Sequence, residues 1–428
     1  AGDIPATFLR IPGTPASGAA VLDGYQMTRK GRGSVAIALD LTCSVIGGLL
    51  GVLILVTISP ILAEFALKFT HFEYFWLAVL GLSMSAVISR GSKIKGIISM
   101  IAGILLSTIG IDIATGYPRF TFGSPELMGG IGFIPVMIGL FGVSEVFRSV
   151  LSKESLHSAA IAEKITVSFR TIGKILIKNI RLIVQSSIIG TLIGALPGAG
   201  ADIAAWVAYG TAKKTSKQAD DFGTGIEEGV IAPTSANNAA LGGTWIPALV
   251  FGIPGDTVTA IVLGAMLMYG LKPGPLIFHG NRFFINQIFS IAFISQFFLL
   301  ILGFLGIKAY TTIFKFQKNI VLVAILIFSV IGSYALRNSL FDVTLMLIFG
   351  ILGFFMEKTE IPLPPLILGL ILGTMIEENL RIGLVKSDGS FWPFFSRPIS
   401  LFFFCVLVFV FLYEPLKKLL RLVVRRQS

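Results

Sequence analysis

Four short stretches of this chain carry residue types that could do chemistry in an apolar setting. The first is Leu196-Pro197-Gly198-Ala199-Gly200-Ala201-Asp202. Proline removes a backbone donor and glycine weakens helix, so the stretch predicts a break between two helical segments. The N–H groups that open the second segment, Gly200 to Ile203, have no carbonyls to bind within their own helix. By hydrogen bonding and helix dipole they suit an anion. The second stretch is Ala232-Pro233-Thr234-Ser235-Ala236-Asn237-Asn238-Ala239-Ala240. Its adjacent amides are costly in lipid unless satisfied. They can donate to a carboxylate, and their carbonyls, with the hydroxyls of Thr234 and Ser235, can ligate Na+. The stretch reads as a second broken segment with unwound carbonyls, and helix capping at its half-helix end uses the same groups. The third and fourth stretches are two copies of one motif, Ile-Pro-Ala-x4-Ile-Pro-Gly, beginning at Ile4 and at Ile246, 242 residues apart. Thr14 follows the first copy and Asp256 the second. Asp256 suits capping of the following helix, or a proton or Na+, since ionisable groups inside membranes are functional candidates.

The elements around these stretches belong in a bilayer. Of 428 residues, 54% are hydrophobic and only 13% charged, and the mean hydropathy is +0.86. Soluble domains carry about 25% charged residues. Apolar runs over about 34–60, 74–90, 96–115, 127–148, 283–307, 319–336, 340–357, 361–378 and 398–415 approach the ~20 residues needed to cross the hydrocarbon core. Residues 182–212 are too few for two crossings, so the break at Pro197 predicts a re-entrant hairpin. Non-helical backbone at membrane depth is tolerated only where it is buried or lines an aqueous cavity. Between 149 and 181, charges alternate with apolar residues at helical spacing, as in an amphipathic surface or connecting helix.

The net charge of +11 belongs to loops between spans, so it reads as a cytoplasmic topology signal rather than a nucleic-acid footprint. Basic loops place Arg29 to Gly33 inside, and counting back from the basic tail places Lys272-Pro273-Gly274-Pro275 outside. The two motif copies then face opposite ways, as in an inverted repeat. Helices broken at corresponding places in two halves are the mark of a secondary transporter with a central site. Cys43 and Cys405 lie in apolar runs without metal or redox spacing. The three histidines are scattered, and no nucleophile–base set or phosphate loop is present, so an enzyme is not expected. A channel or scaffold that uses its broken helices only for packing is the competing reading.

In combination these residues resemble one family, the large membrane subunit of tripartite tricarboxylate transporters (TctA-type). The likeness rests on Leu196 to Gly200, Tyr209-Gly210, Gly225 to Gly229, Ala236-Asn237-Asn238-Ala239 and Ile253-Pro254-Gly255-Asp256. It extends to Ile11 to Pro15, Leu22-Asp23-Gly24-Tyr25, Gly116 to Phe120, Glu378-Asn379-Leu380-Arg381, Ser387-Asp388-Gly389 and Arg397-Pro398-Ile399. It covers essentially the whole chain and departs from the family pattern at Thr234, where an acidic residue is common. The resemblance implies import of a citrate-like di- or tricarboxylate across the bacterial inner membrane, coupled to Na+ or H+ and using no other cofactor. It also implies a small membrane subunit and a periplasmic binding protein as partners.

Carried onto this sequence, the substrate site comprises Pro12, Gly13, Thr14, Pro197, Gly198, Ala199, Gly200, Asn237, Asn238, Pro254 and Gly255, with Ser235, Asn237 and Asp256 as a Na+ set. The expected architecture is all-α and polytopic, with two inverted repeats whose re-entrant hairpins and broken helices surround the site. Residues 1–148 hold the first repeat, 149–181 the connecting helix and 182–428 the second repeat. The first copy lacks a lead-in like Gly190 to Thr244, which predicts that its repeat extends upstream of Ala1.

Overall fold

The computed structural model describes Thr7, Thr14 and residues 16–88, 92–112, 115–151, 169–198, 200–313 and 318–410. Its elements in order are α1 (Ser17–Arg29), α2 (Gly33–Ala66), α3 (His71–Ile88), α4 (Lys93–Ser107), a two-stranded hairpin of β1 (Gly110–Ile111) and β2 (Pro118–Arg119), and α5 (Phe133–Leu151). Then come α6 (Phe169–Lys178), α7 (Ile180–Gly194), α8 (Gly200–Thr215), α9 (Glu228–Phe251), α10 (Thr257–Met268), α11 (Arg282–Ile313), α12 (Lys318–Arg337), α13 (Leu340–Lys358), α14 (Pro364–Lys386) and α15 (Pro398–Val410). This is an all-α polytopic membrane protein. Among the described residues α2, α5, α11 and α13 are long and apolar enough to cross a membrane, and α6 with α7 adds a fifth candidate bent by 69°.

The chain divides into two compact units, each drawing on both halves of the sequence. Unit 1 is Ala1–Leu67 with Leu151–Ala324, and unit 2 is Lys68–Val150 with Ile325–Ser428. The repeats describe the order of the chain, whereas these units describe its packing.

Unit 1 is built on α9, which is buried on nearly every side. Without a hydrophobic force between helices in lipid, close packing needs small residues. Gly47 and Gly51 of α2 sit against the backbone of Ser235 and Ala239, and Gly190 and Gly194 of α7 against Ala236 and Ala240. Both sets of contacts rise together in number, so α2 and α7 run parallel to α9. Helix α8 runs back: Gly200 lies beside Asp256, just past the end of α9, while Tyr209 and Ala212 cluster with Ala232 and Phe222 near its start. The predicted hairpin is therefore present, with α7 going in and α8 returning.

The repeat relation is inverted in unit 1. Helix α1 starts at Asp202 near the hairpin tip and ends with Met27 beside Gly225, at the start of α9. Helix α10 starts at the same tip and runs the other way, its Leu263 and Met266 clustering with Leu249, Val250, Ala63 and Ala66. The helices that follow, α2 and α11, are antiparallel, with Gly48 opposite Gln296 and Leu41 opposite Gly303.

In unit 2 a helix from each half packs on one from the other. Gly103 of α4 meets Leu366 and Gly369 of α14, and Gly139 of α5 meets Met346 and Gly350 of α13. An aromatic cluster holds α3 to the segment before α15: the Trp76 indole donates to the Phe394 carbonyl at 2.7 Å, and Phe72 and Phe75 meet the Phe394 ring edge-on.

Three expectations need correction. The span at 96–115 ends at Ser107, because Gly110–Ile111 pair with Pro118–Arg119 in the β hairpin and Asp112 and Arg119 join the charges of α14. Ala232 to Ala240 is not unwound: α9 is continuous from Glu228 to Phe251. The neighbouring glycines let α2 and α7 press against its backbone, and the helix continues although Pro233 and Pro247 inside it each forgo the bond to the residue four earlier. The connecting helix is described only at 149–151, which belongs to α5, and from residue 169. It ends at Lys178, because Asn179 turns the chain into α7.

Candidate functional site

The two motif copies start their helices in the same way. After the second copy, the Asp256 carboxylate accepts the Thr259 N–H at 2.8 Å, and the Thr259 hydroxyl accepts the Asp256 N–H at 3.1 Å, a reciprocal capping box. After the first copy, the Ser17 N–H donates to the Thr14 hydroxyl at 3.2 Å, and the Thr14 N–H donates to the Ser17 hydroxyl at 2.9 Å. Thr14 and Asp256 thus hold equivalent places, one neutral and one carboxylic. The spacing Thr-x-x-Ser and Asp-x-x-Thr was the available signal. It identifies Ser17 and Thr259 as partners of these caps.

The hairpin tip lies against the second loop. Gly198 N–H donates to the Gly255 carbonyl at 2.9 Å. Gly200 has φ +55°, a left-handed value that favours glycine, and a methyl there would lie 3.2 Å from Asp256 Cβ. A methyl at Gly255 would lie 2.7 Å from Thr244 Cα and 2.8 Å from the Gly194 carbonyl. Two residues beyond Gly200, the Asp202 carboxylate accepts the Ala16 N–H at 3.0 Å. The N-termini of α1, α8 and α10 therefore converge at one place. Each helix start carries about half a positive charge, so together they favour an anion there. Two carboxylates, Asp202 and Asp256, border it.

The predicted residues divide into three groups. Pro197, Gly198, Gly200, Pro254, Gly255, Asp256 and Thr14 are gathered at the tip. Pro12, Gly13 and Ala199 lie outside the described residues. Asn238 and Ser235 lie on the face of α9 that meets α2, and Asn237 lies on another. Asn238 donates to the Ser44 carbonyl at 2.8 Å and to Gln296 Oε1 at 2.9 Å, joining α9 to α2 and α11. Ser235 is fully buried on the side of α2. Asn237 is half-buried, and among the described residues no partner binds its amide. Thr244, on which Gly255 packs, lies two turns further along that face. The Na+ set of Ser235, Asn237 and Asp256 is thus not on one face: Ser235 is more than half a turn around α9 from Asn237.

The local sequence gave no role to Asp23, which holds α1 in register. It is fully buried. Its carboxylate accepts the Tyr209 hydroxyl at 2.9 Å and the N–H groups of Gly223, Gly225 and Ile226 at 2.9, 2.7 and 3.1 Å. The signal available in the sequence was an Asp between apolar residues in a helix of a membrane protein. In unit 2, Arg119 makes a two-pronged pair with Glu377 at 2.6 and 3.1 Å, and Arg381 binds Asp112 at 2.9 Å and Glu377 at 2.7 Å. Glu73 is buried and takes Arg397 at 2.5 Å, the Thr70 hydroxyl at 2.6 Å and the Ser400 hydroxyl at 3.0 Å. Apart from Arg381 with Glu377, one turn away on α14, these ion pairs join residues hundreds of positions apart.

Comparisons with known proteins agree on one family. Residues 1–368 match the Tripartite tricarboxylate transporter TctA family. The chain is 36% identical to an Agrobacterium vitis protein named "Uncharacterized 52.8 kDa protein in TAR-I ttuC' 3'region", over 93% of this chain and 79% of that protein. It is also 36% identical to "Uncharacterized protein in TAR-II ttuC' 3'region" of the same organism, over 49% of this chain and 87% of that protein. No solved structure matches.

Proposed function

The chain belongs to the tripartite tricarboxylate transporter TctA family, and from that premise we propose that it is the membrane subunit that carries a di- or tricarboxylate through the bacterial inner membrane by secondary active transport. The observation that supports this reading most is the convergence of three helix N-termini at the hairpin tip. The helix dipoles directed at the tip suit a carboxylate without a buried arginine. Asn237, on the face of α9 that leads to the tip, supplies an amide donor.

The same geometry supplies a reason for coupling. Asp202 and Asp256 border the place where a multivalent anion would settle, and their repulsion must be offset. A Na+ ion held by Asp256 and neighbouring carbonyls, or a proton, would do so. The anion and the cation then each favour the binding of the other, which is the linkage a symporter requires. Opposed repeats supply the second requirement, a site reachable from either side in turn. Substrate delivery by a periplasmic binding protein and support from a small membrane subunit follow from the family's tripartite organisation.

The two asparagines separate this reading from a channel or scaffold. Asn237→Ala is expected to raise the KM for carboxylate uptake in proteoliposomes by about tenfold, the worth of one hydrogen bond to a charged group. Its unfolding temperature should stay near that of the parent. Asn238→Ala is expected to do the reverse, destabilising the protein by about 1–2 kcal/mol as Ser44 and Gln296 lose their donor. Uptake and cation dependence unchanged in Asn237→Ala would remove Asn237 from the site. Absence of cation-driven accumulation in the parent protein would favour the channel reading.

A further inference from the structure

One end of unit 2 presents bulky aromatic side chains that the fold holds outward at a cost. Tyr117, Phe120 and Phe122 in and after the β hairpin are 72%, 61% and 89% exposed, and Phe391 and Trp392 beyond α14 are 58% and 73% exposed. Phe120 and Phe122 have φ of 51° and 49°. A left-handed backbone costs a residue with a side chain about 1–2 kcal/mol. Thr121, between them, is buried, so this backbone turns two rings out while tucking the small residue in. Strain retained at an exposed position points to a use for that position.

The hairpin is fixed where a membrane boundary would fall. Arg119 ties it to Glu377, and Asp112 ties it to Arg381. Glu377 and Arg381 lie 13 and 17 residues into α14, about 20 and 26 Å along it at 1.5 Å per residue. The start of α14 lies among lysines: Lys95 donates to the Thr359 carbonyl at 2.6 Å and lies 3.8 Å from the exposed Glu360 carboxylate, with Lys93 and Lys358 close by in sequence. With those lysines at the inner boundary of a ~30 Å core, the hairpin falls near the outer one.

Charge at the two ends agrees. At the aromatic end Arg119, Arg337, Arg381 and Arg397 are each paired with a carboxylate, respectively Glu377, Asp342, Asp112 and Glu73. Lys386 at that end is outnumbered by the exposed carboxylates Glu126, Glu378 and Asp388, so among the described residues it has no cationic excess to hold it in the cytoplasm. Among them it also offers no arginine without a carboxylate partner with which to recognise a charged protein surface. What remains exposed is a set of rings, two of them with a polar edge (Tyr117 and Trp392). Such rings suit the headgroup layer, where one end is apolar and the other wet.

We propose that Tyr117, Phe120, Phe122, Phe391 and Trp392 form an anchor that seats this end of unit 2 in the headgroup layer of the non-cytoplasmic leaflet. The ion-pair network sets the depth of the anchor. This assignment depends on the membrane topology of the chain and not on its substrate.

The test places the full chain with Phe122→Trp in phospholipid vesicles, with the parent protein as the reference for its four native tryptophans. The added emission is expected to be blue-shifted. It should be lost when the vesicles carry a headgroup-attached nitroxide lipid and keep its intensity when iodide is added to the water. Loss to iodide with no effect of the nitroxide lipid would overturn the proposal. So would a signal shielded from iodide only when a soluble partner protein is added. If Phe122→Trp elutes as aggregate, Tyr117→Trp serves as the second probe, with the same two outcomes.

Discussion

Asp23→Ala is expected to be the most damaging substitution in unit 1, lowering stability by about 3–5 kcal/mol. The figure follows from donors that would lose their acceptor. Gly225 N–H is buried, and Gly223 N–H, Ile226 N–H and the Tyr209 hydroxyl are largely enclosed. A buried donor left unsatisfied costs about 1–3 kcal/mol, and water reaches some of the four. The methyl group of alanine cannot replace the acceptor. Asp23→Asn keeps one acceptor oxygen but turns an N–H₂ group toward donors, so an intermediate loss is expected. Tyr209→Phe removes a single donor and should cost about 1 kcal/mol. Unfolding of the purified protein in detergent, followed by denaturant titration, checks the order Ala, Asn, Phe. Parent-like stability of Asp23→Ala would mean that the loop before α9 does not depend on this carboxylate.

The second large effect is expected at the tip. Gly255→Ala places a methyl group 2.7 Å from Thr244 Cα and 2.8 Å from the Gly194 carbonyl. Both neighbours are backbone in packed helices, so neither can swing aside as a long side chain would. Overpacking of this kind typically costs about 1–3 kcal/mol. The larger consequence is functional, because Gly255 also accepts the Gly198 N–H. Moving that loop moves Asp256 and separates the starts of α8 and α10. The expected result is a protein that still inserts and purifies but has lost carboxylate uptake, since a small misplacement of positioned groups can cost about a hundredfold. Uptake assays beside a stability measurement distinguish this from unfolding. Full uptake in Gly255→Ala would show that the tip geometry is not what transport requires.

Much of this architecture was legible because a bilayer makes strong demands on sequence. Long apolar runs could only be helices, and Pro197-Gly198 within too short a run could only be a turn. The hairpin α7–α8 follows from those two facts. The opposed directions of α1 and α10 were legible from the basic loops around two copies of one motif. Other features depend on contacts distant in sequence. Pro233, Asn237 and Asn238 suggested a break, yet α9 runs through them, because Gly47, Gly51, Gly190 and Gly194 let neighbours close on it. Asn238 looked like a substrate ligand and is committed to Ser44 and Gln296. Apolar composition carried the run from α4 across Gly110 to residue 115, whereas Arg119 and Glu377 decide that the chain turns there. The division into two units could not be read from chain order, since each unit interleaves segments of both repeats.

The tip formed by α1, α8 and α10 is expected to bind a multivalent carboxylate together with a cation. The most direct measurement is the thermal stability of the purified full chain against a citrate-class tricarboxylate, a dicarboxylate and an uncharged amide analogue, with and without Na+ and at two pH values. A ligand present at 100 times its Kd stabilises by about 2.7 kcal/mol. The expected result is saturable stabilisation by the carboxylates, strengthened by Na+ or by lower pH, and no effect of the amide analogue. Equal stabilisation by the uncharged analogue, or carboxylate stabilisation that persists undiminished in Gly255→Ala, would contradict it.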